Sequence, residues 1–173
     1  MIDDQIRDQF AITRVIHQVA RALDRRDKPL LQACFWPDAT DDHGVFSGNV
    51  LDFVDWVMGR VPEPYVRTQH NITNLLVDLT GDRAAGEAYF IAYHRMAAEA
   101  TDVIVAGRYL DRFERRAGEW RIVHRHAVYE WTTHAPASDP LWSAPPLVNV
   151  LTRGRRNTGD PSYANLAWLG GSV

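Results

Sequence analysis

Residues 107–125 read GRYLDRFERRAGEWRIVHR, and the short stretch AGE divides them into two segments in which apolar and polar side chains alternate. Alternation with a period of two is typical of β-strands, and a tight turn between two such segments joins antiparallel neighbours. The stretch therefore predicts a long hairpin of two antiparallel strands.

Two further segments of the same kind precede this hairpin. They read YVRTQHNITNLLVDL and AAGEAYFIAYHRMAA, and the turn sequence TGDR lies between them. Together with VIVAGRYLDRFERR and WRIVHRHAVYEWTT, they predict four long strands in an antiparallel meander.

The chain before Pro64 has the period of helices instead. Apolar side chains recur with the spacing of an amphipathic helix at Ile12, Val15, Ile16, Val19 and Leu23. A short second helix from Pro29 to Phe35 and a third in VLDFVDWVMGRV follow, with DDHGVFSGN between them as a turn or short hairpin. Helices followed by strands predict an α+β fold, a cone-shaped barrel in which N-terminal helices pack on a strongly curved, mostly antiparallel sheet.

The composition is that of an ordinary globular domain. The 173 residues carry a net charge of -3, so we expect no basic surface and no nucleic-acid partner. Cys34 is the single cysteine, which excludes an intrachain disulfide and fits the reducing cytoplasm. No apolar run approaches the ~20 residues of a membrane span, so we expect no association with a membrane.

The C-terminal segment combines many prolines with large apolar side chains. We expect residues 1–133 to form the α+β domain and residues 134–173 to form a tail that packs on this domain or on a neighbouring subunit. Trp142, Leu147 and Trp168 are the side chains expected to make these contacts, because leaving them in water would be costly.

The polar run RTQHNITN at residues 67–74 contains one histidine at its centre. If the run is a strand, one face carries Val66, Thr68, His70, Ile72, Asn74 and Leu76. Asp24, near the end of the first helix, lies at the border of its apolar stripe, where it can reach an inward imidazole. A carboxylate on one ring nitrogen makes histidine an effective base. A hydrogen-bonded core histidine and a solvated carboxylate are the alternatives.

Two other side chains are candidates for the same site. His94 shares a face with Phe90, Met96 and three small alanines, Ala88, Ala92 and Ala98, which predicts a pocket wall or a buried histidine satisfied by the backbone. Arg125 needs an anionic partner or a ligand if it points inward, because an unpaired buried charge is costly. The side chains expected to bind a largely apolar substrate are Phe90, Met96, Tyr129 and Trp131.

Metal and cofactor motifs are weak or missing in the sequence. HRH at residues 124–126 places two imidazoles on one face, but no third ligand follows at a convincing spacing. We interpret the acidic loop of Asp38, Asp41, Asp42 and His43 as solvated. No phosphate-binding loop or dinucleotide fingerprint occurs, so we expect neither a metal nor a cofactor.

The order of LDRRD, FWPDAT, HNITN and GRYLDRFERRAGEWRIVHR resembles the SnoaL-like branch of the nuclear-transport-factor-2-like superfamily over residues 5–132. Within this branch the chain is most similar to lyases that need no cofactor: scytalone dehydratase, hexachlorocyclohexane dehydrochlorinase and bile-acid dehydratase. The resemblance implies a catalytic pair of Asp24 and His70, with His94 and Arg125 as further active-site residues. The tyrosines that hold a water in scytalone dehydratase have no clear counterpart on the first helix, where Ala22 and Leu23 precede the aspartate.

The resemblance therefore implies a dehydratase or dehydrohalogenase that acts on a small molecule. An isomerase or a polyketide cyclase would keep the same pair, and a small-ligand binder or an assembly subunit would not need it. It also implies a homo-oligomer, a trimer before a dimer. Ile122 and Val128, expected on the outer face of the last strands, agree with this because a monomer would leave them exposed.

Overall fold

Three helices and two short strands precede four long strands in the structure, a computed structural model that describes residues 2–60, 64–140 and 149–168. The helices are α1 (Ile2–Arg25), α2 (Lys28–Ala33), α3 (Val50–Met58) and, in the tail, α4 (Pro161–Ala167). The strands are β1 (Phe35–Asp42), β2 (Ser47–Asn49), β3 (Tyr65–Thr80), β4 (Arg83–Met96), β5 (Thr101–Arg116) and β6 (Glu119–Pro136). None of the helices in these ranges is long and apolar enough to cross a membrane.

The six strands form one open sheet in the order β2-β1-β6-β5-β4-β3. Strands β3 to β6 are the predicted antiparallel meander, and β1 pairs with β2 in an antiparallel hairpin. Only the pairing of β1 with β6 is parallel among the described strands. The prediction of an α+β cone with a mostly antiparallel sheet is confirmed, and the sheet has two more strands than the four predicted.

Helix α1 lies across the sheet with its apolar stripe facing inward. Ile12, Ile16 and Val19 are buried against Phe113 and Ile122 in the main core. Each such side chain stabilises the fold by about 1.5–3 kcal/mol relative to exposure. The expectation that Ile122 lies on an outer face is wrong: it is 0% exposed, so it gives no support for an oligomer.

Strand β3 changes its inward face halfway along. Thr68, His70 and Ile72 point inward as predicted, but the pairing with β4 shifts between Ile72 and Leu75. A bulge of this kind moves every following side chain to the opposite face. Leu75, Val77 and Leu79 therefore pack against the core. The predicted inward positions of Val66, Asn74 and Leu76 are wrong, and Leu76 is 64% exposed.

Strand β6 contains two similar shifts in its pairing with β5. One lies opposite Arg112 and Phe113, and the other lies opposite Ala106 and Gly107. Gly107 is required at the second shift, because a Cβ atom there would lie 2.1 Å from the carbonyl oxygen of Val128. These shifts explain why simple alternation could not orient β6.

The tail returns to helix α1. Asp160 caps α4 by accepting a hydrogen bond from the backbone N–H of Ser162. The hydroxyl of Tyr163 donates to Asp27 at 2.6 Å, and Nη1 of Arg21 donates to Ser162 Oγ at 2.9 Å. These polar contacts hold residues 155–163 against the end of α1. Trp142 and Leu147 lie outside the described residues, and Trp168 is 85% exposed, so it does not pack on its own domain. Its contact with a neighbouring subunit stays a prediction.

Candidate active site

Asp24 and His70 are in direct contact between helix α1 and strand β3. Oδ1 of Asp24 accepts hydrogen bonds from Nδ1 of His70 and from the hydroxyl of Thr68, both at 2.8 Å. Oδ2 accepts a third from the backbone N–H of His70 at 2.9 Å. The carboxylate is buried, and all three of its donors come from one short stretch of β3. This arrangement fixes the carboxylate and the imidazole relative to each other.

The hydrogen bonds determine which nitrogen of His70 can act as a base. Burial raises the pKa of Asp24, but the hydrogen bonds and charge of His70 and the Thr68 hydroxyl outweigh it, so that the pKa lies below its usual value. Asp24 is therefore an anion at neutral pH and can only accept hydrogen bonds. Nδ1 of His70 must donate in this contact, which leaves the lone pair of the neutral ring on Nε2.

A cavity of about 250 Å³ lies next to this pair, and His70 forms part of its wall. Helix α3, strands β3 to β6 and the β1–β2 hairpin surround it. Its aromatic lining consists of Phe53, Trp56, Tyr65, Phe90, Tyr109 and Tyr129. Its volume lies just below the ~300–1,000 Å³ that ligand cavities commonly span, so it suits a small, largely apolar molecule.

His94 of β4 lies in the same cavity wall, opposite Thr68 in the pairing of β3 with β4. Its ring centroid is 5.5 Å from that of His70, edge to face, and 4.8 Å from that of Tyr65. Burial, followed by the charge of His70, lowers the pKa of His94 to about 4. His94 is therefore neutral at pH 7 and can hydrogen-bond to a substrate oxygen.

Arg156 of the tail also reaches this cavity, and sequence reasoning missed it. Its Nη1 donates to the hydroxyl of Thr68, which in turn donates to Asp24. Burial, followed by the charge of Arg26, lowers the pKa of Arg156 to about 10, so it remains a cation. The contact joins residues 88 positions apart in the chain, so no local sequence pattern could have indicated it.

His43 and Asp41 form a second histidine–carboxylate pair, which lies where β1 meets the turn to β2. Nδ1 of His43 is hydrogen-bonded to Oδ1 of Asp41, and His43 lines the cavity. The expectation that Asp41 is solvated is wrong, because it is 1% exposed. The burial of Phe35, Ala39 and Asp41 follows strand alternation, which was the signal available in the sequence.

Arg125 points inward but does not line the cavity, so its predicted position on the cavity wall is wrong. Its Nε and Nη2 donate to the two carboxylate oxygens of Asp111, each at 2.7 Å. Its guanidinium also lies over the ring of Tyr109, 4.1 Å from the centroid. The anionic partner expected for a buried arginine is therefore supplied by the protein.

The four predicted substrate-binding residues divide into two groups. Phe90 and Tyr129 line the cavity, with Tyr129 half-exposed at its mouth. Met96 and Trp131 are not in the cavity wall, and these two predictions are wrong. Met96 is the last residue of β4, and the pairing shift between Ala106 and Gly107 leaves Trp131 on the exposed face.

The HRH sequence belongs to a different surface. His124 is hydrogen-bonded to Thr40 at 2.7 Å and His126 to Asp42 at 3.1 Å, both outside the cavity. In the part of the chain that the structure describes, no three histidine, cysteine, aspartate or glutamate side chains form a metal-binding cluster.

Several solved structures resemble this fold. A candidate scytalone dehydratase from Novosphingobium aromaticivorans has 24% identity and a TM-score of 0.71, with 83% of this chain and 99% of that chain covered. A type 2 LinA hexachlorocyclohexane dehydrochlorinase has 21% identity and a TM-score of 0.74, with coverage of 84% and 99%. The LinA-type3 enzyme from Novosphingobium barchaimii has 20% identity and a TM-score of 0.72, with coverage of 78% and 94%.

Sequence comparison gives the family. No curated protein matches the chain significantly. The SnoaL-like domain matches residues 4–126, which include most of α1, the Asp24–His70 pair and strands β1 to β5. The chain therefore belongs to the SnoaL-like domain family, and its fold is that of the nuclear-transport-factor-2-like superfamily.

Proposed function

We propose that the protein is a cofactor-independent lyase in which His70 removes a proton from a carbon next to a carbonyl group. A leaving group on the adjacent carbon then departs and a double bond forms. The contact between Asp24 and His70 beside an apolar cavity carries this proposal. The names of the structural neighbours, a dehydratase and dehydrochlorinases, agree with it.

Asp24 has two roles in this proposal. It holds the imidazole with Nε2 free to accept a proton, and its negative charge stabilises the imidazolium that forms. The hydrogen bond from the backbone N–H of His70 keeps the carboxylate in place during the proton transfer. In this proposal His94 hydrogen-bonds the substrate carbonyl as negative charge develops on its oxygen, and its position in the cavity wall supports this role.

Proton abstraction can be measured before the natural substrate is known. Benzylacetone and cyclohexanone have exchangeable hydrogens next to a carbonyl group and no leaving group, so exchange in D₂O, followed by proton NMR, reports His70 alone. We expect the protein to accelerate exchange and His70→Gln to reduce the acceleration by about 10²–10⁴-fold. Asp24→Asn should retain only weak activity, because the ring is still held but the imidazolium is no longer stabilised.

The matched control is His124→Gln, which changes a histidine outside the cavity and should leave exchange at the wild-type rate. Circular dichroism shows whether each variant is folded. A wild-type protein that exchanges neither ketone, or a folded His70→Gln variant with the wild-type rate, contradicts the proposal. Elimination is distinguished from isomerisation or cyclisation by the products formed from β-substituted ketones.

We also propose that the protein is a homo-oligomer, with a trimer favoured over a dimer. The outer sheet face exposes Leu76, Tyr89, Ile91 and Trp131. Apolar side chains grouped on one surface are typical of an interface. Light scattering that detects only a monomer at micromolar concentration contradicts this proposal.

Two further parts of the proposal concern location and organisation. A cytoplasmic location agrees with the buried thiol of Cys34, whose pKa burial raises to about 12. Residues 134–173 are proposed to act as a tail that completes the site of the domain formed by residues 1–133, because Arg156 lies in the cavity wall.

A further inference from the structure

The cavity contains a second imidazole that is fixed in the same way as His70. Nδ1 of His43 is bound to the buried Asp41, and its ring stacks on Phe53 with a centroid distance of 4.7 Å and an angle of 14°. The side chain of His43 is 14% exposed and lines the cavity. In both histidines the carboxylate takes Nδ1, so Nε2 is the ring nitrogen left for a substrate.

Asp41 belongs to a row of charged residues across three strands. Asp41 is paired with Arg125 in the register of β1 with β6, and Arg125 is paired with Asp111 in the register of β6 with β5. Arg125 forms its ion pair with Asp111, and Oδ2 of Asp41 has no hydrogen-bond partner among the described residues. His43 is the side chain that is hydrogen-bonded to the Asp41 carboxylate, through Nδ1 and Oδ1.

We propose that His43 is the general acid of the elimination and that the leaving group is a hydroxyl. This inference rests on the proposed function. His70 takes the proton from the carbon next to the carbonyl, the electron pair forms the C=C bond, and the C–O bond to the hydroxyl breaks. Nε2 of His43 gives its proton to the departing oxygen, so that water leaves. His70 then releases a proton to solvent and His43 regains one.

The chemistry of the leaving group determines the substrate class. Hydroxide is a poor leaving group and needs a proton as the C–O bond breaks, whereas a halide leaves without one. A second histidine–carboxylate pair facing the same cavity can supply this proton. It fits the dehydration of a β-hydroxy ketone or a related β-hydroxy carbonyl compound.

Three other ionisable groups in or near the cavity are less suited to this role. His94 is neutral at pH 7, because burial lowers its pKa to about 4. Burial raises the pKa of Tyr109 well above its usual value, so its hydroxyl is a weak acid. Arg125 does not line the cavity, and its guanidinium is bound to Asp111.

The test compares two reactions in the same protein samples. Hydrogen exchange of benzylacetone and cyclohexanone reports His70, and conversion of their β-hydroxy derivatives to the enones, followed by ultraviolet absorbance, reports both histidines. We expect His43→Gln to lower the ratio of elimination to exchange by about 10²-fold or more. His70→Gln should reduce both reactions, and His124→Gln should change neither.

Each outcome separates this inference from the proposed function. Exchange without elimination in the wild type, or an unchanged ratio in His43→Gln, overturns the role of His43 alone. Exchange lost together with elimination in a folded His43→Gln variant also overturns it. If His43→Gln does not fold, Asp41→Asn decides by the same ratio, because the asparagine oxygen can still accept from Nδ1. A wild type that catalyses neither reaction overturns the proposed function and this inference with it.

Discussion

Asp111 and Arg125 form a two-point ion pair between strands β5 and β6, with both hydrogen bonds at 2.7 Å and both side chains 1% exposed. Removing one partner would leave an uncompensated buried charge. We expect Arg125→Met to lower the free energy of unfolding by about 3–5 kcal/mol, measured by urea denaturation.

The double variant Arg125→Met with Asp111→Leu is the matched comparison, since it removes both charges together. It should be more stable than Arg125→Met alone, because it does not leave Asp111 as an unpaired buried charge. A single variant within about 1 kcal/mol of the wild type would show that water or another group replaces the arginine.

His94 should make the protein less stable in mild acid. Its pKa of about 4 in the folded chain lies below its ordinary value of 6.5, so between these values the unfolded chain binds a proton that the folded chain does not. Stability from this group is complete above pH 6.5 and is lost as the pH falls towards 4, by about 3 kcal/mol at most. His94→Gln should flatten this decline in urea titrations at several pH values.

Asp24 provides a comparison at lower pH. Its pKa in the folded protein is below the ordinary value of 3.8, so the stability it contributes is present above this pH and is lost only as the pH falls further. Asp24→Asn should therefore alter the decline below pH 4 and leave the part that depends on His94. A His94→Gln variant whose stability falls as steeply as that of the wild type between pH 6.5 and 4 would contradict the role of His94 in this decline.

Gly107 should not tolerate a side chain. A Cβ atom at this position would lie 2.1 Å from the Val128 carbonyl oxygen and 2.9 Å from Cζ of Phe90. We expect Gly107→Ala to destabilise the fold by about 3 kcal/mol or more, because the strand or the cavity wall must move. Gly48→Ala is the control, since its Cβ would meet Phe46 at an ordinary 3.5 Å. Equal melting temperatures for the two variants would refute this expectation.

Asp160 should determine whether the tail stays docked. It caps α4, accepts a hydrogen bond from the backbone N–H of Arg155 at 2.7 Å, and lies 3.4 Å from Nη1 of Arg25. We expect Asp160→Ala to speed proteolytic cleavage of residues 149–168 and to lower activity, because Arg156 leaves the cavity wall. Asn165→Ala, on the exposed side of α4, is the control. Equal cleavage rates for the two variants would rule out this role.

Most of the fold could be predicted because its long strands alternate and α1 has a clear apolar stripe. Strand β1 was missed because Pro37 and three aspartates conceal the alternation of Phe35, Ala39 and Asp41. The missed strand concealed the second histidine–carboxylate pair as well. A carboxylate such as that of Asp41 is expected at the surface unless the group that compensates its charge is known.

The contact between Asp24 and His70 was predictable because each position follows from the period of its own element. The positions of Trp131 and Arg156 were not predictable in this way. Trp131 depends on a pairing shift between two strands, and Arg156 depends on a tail that returns to Thr68 from 88 residues away. Both depend on contacts between distant parts of the chain, which a single sequence does not display.

The pairing shift divides β3 into a part that faces the cavity and a part that faces the main core. Before the shift, Thr68 and His70 line the cavity, whereas after it Leu75, Val77 and Leu79 pack against the main core. Changes that alter substrate preference and changes that alter folding therefore fall on different halves of β3. Laboratory evolution of a new substrate specificity can be confined to the first half of β3, which leaves the thermal stability supplied by the second half unchanged.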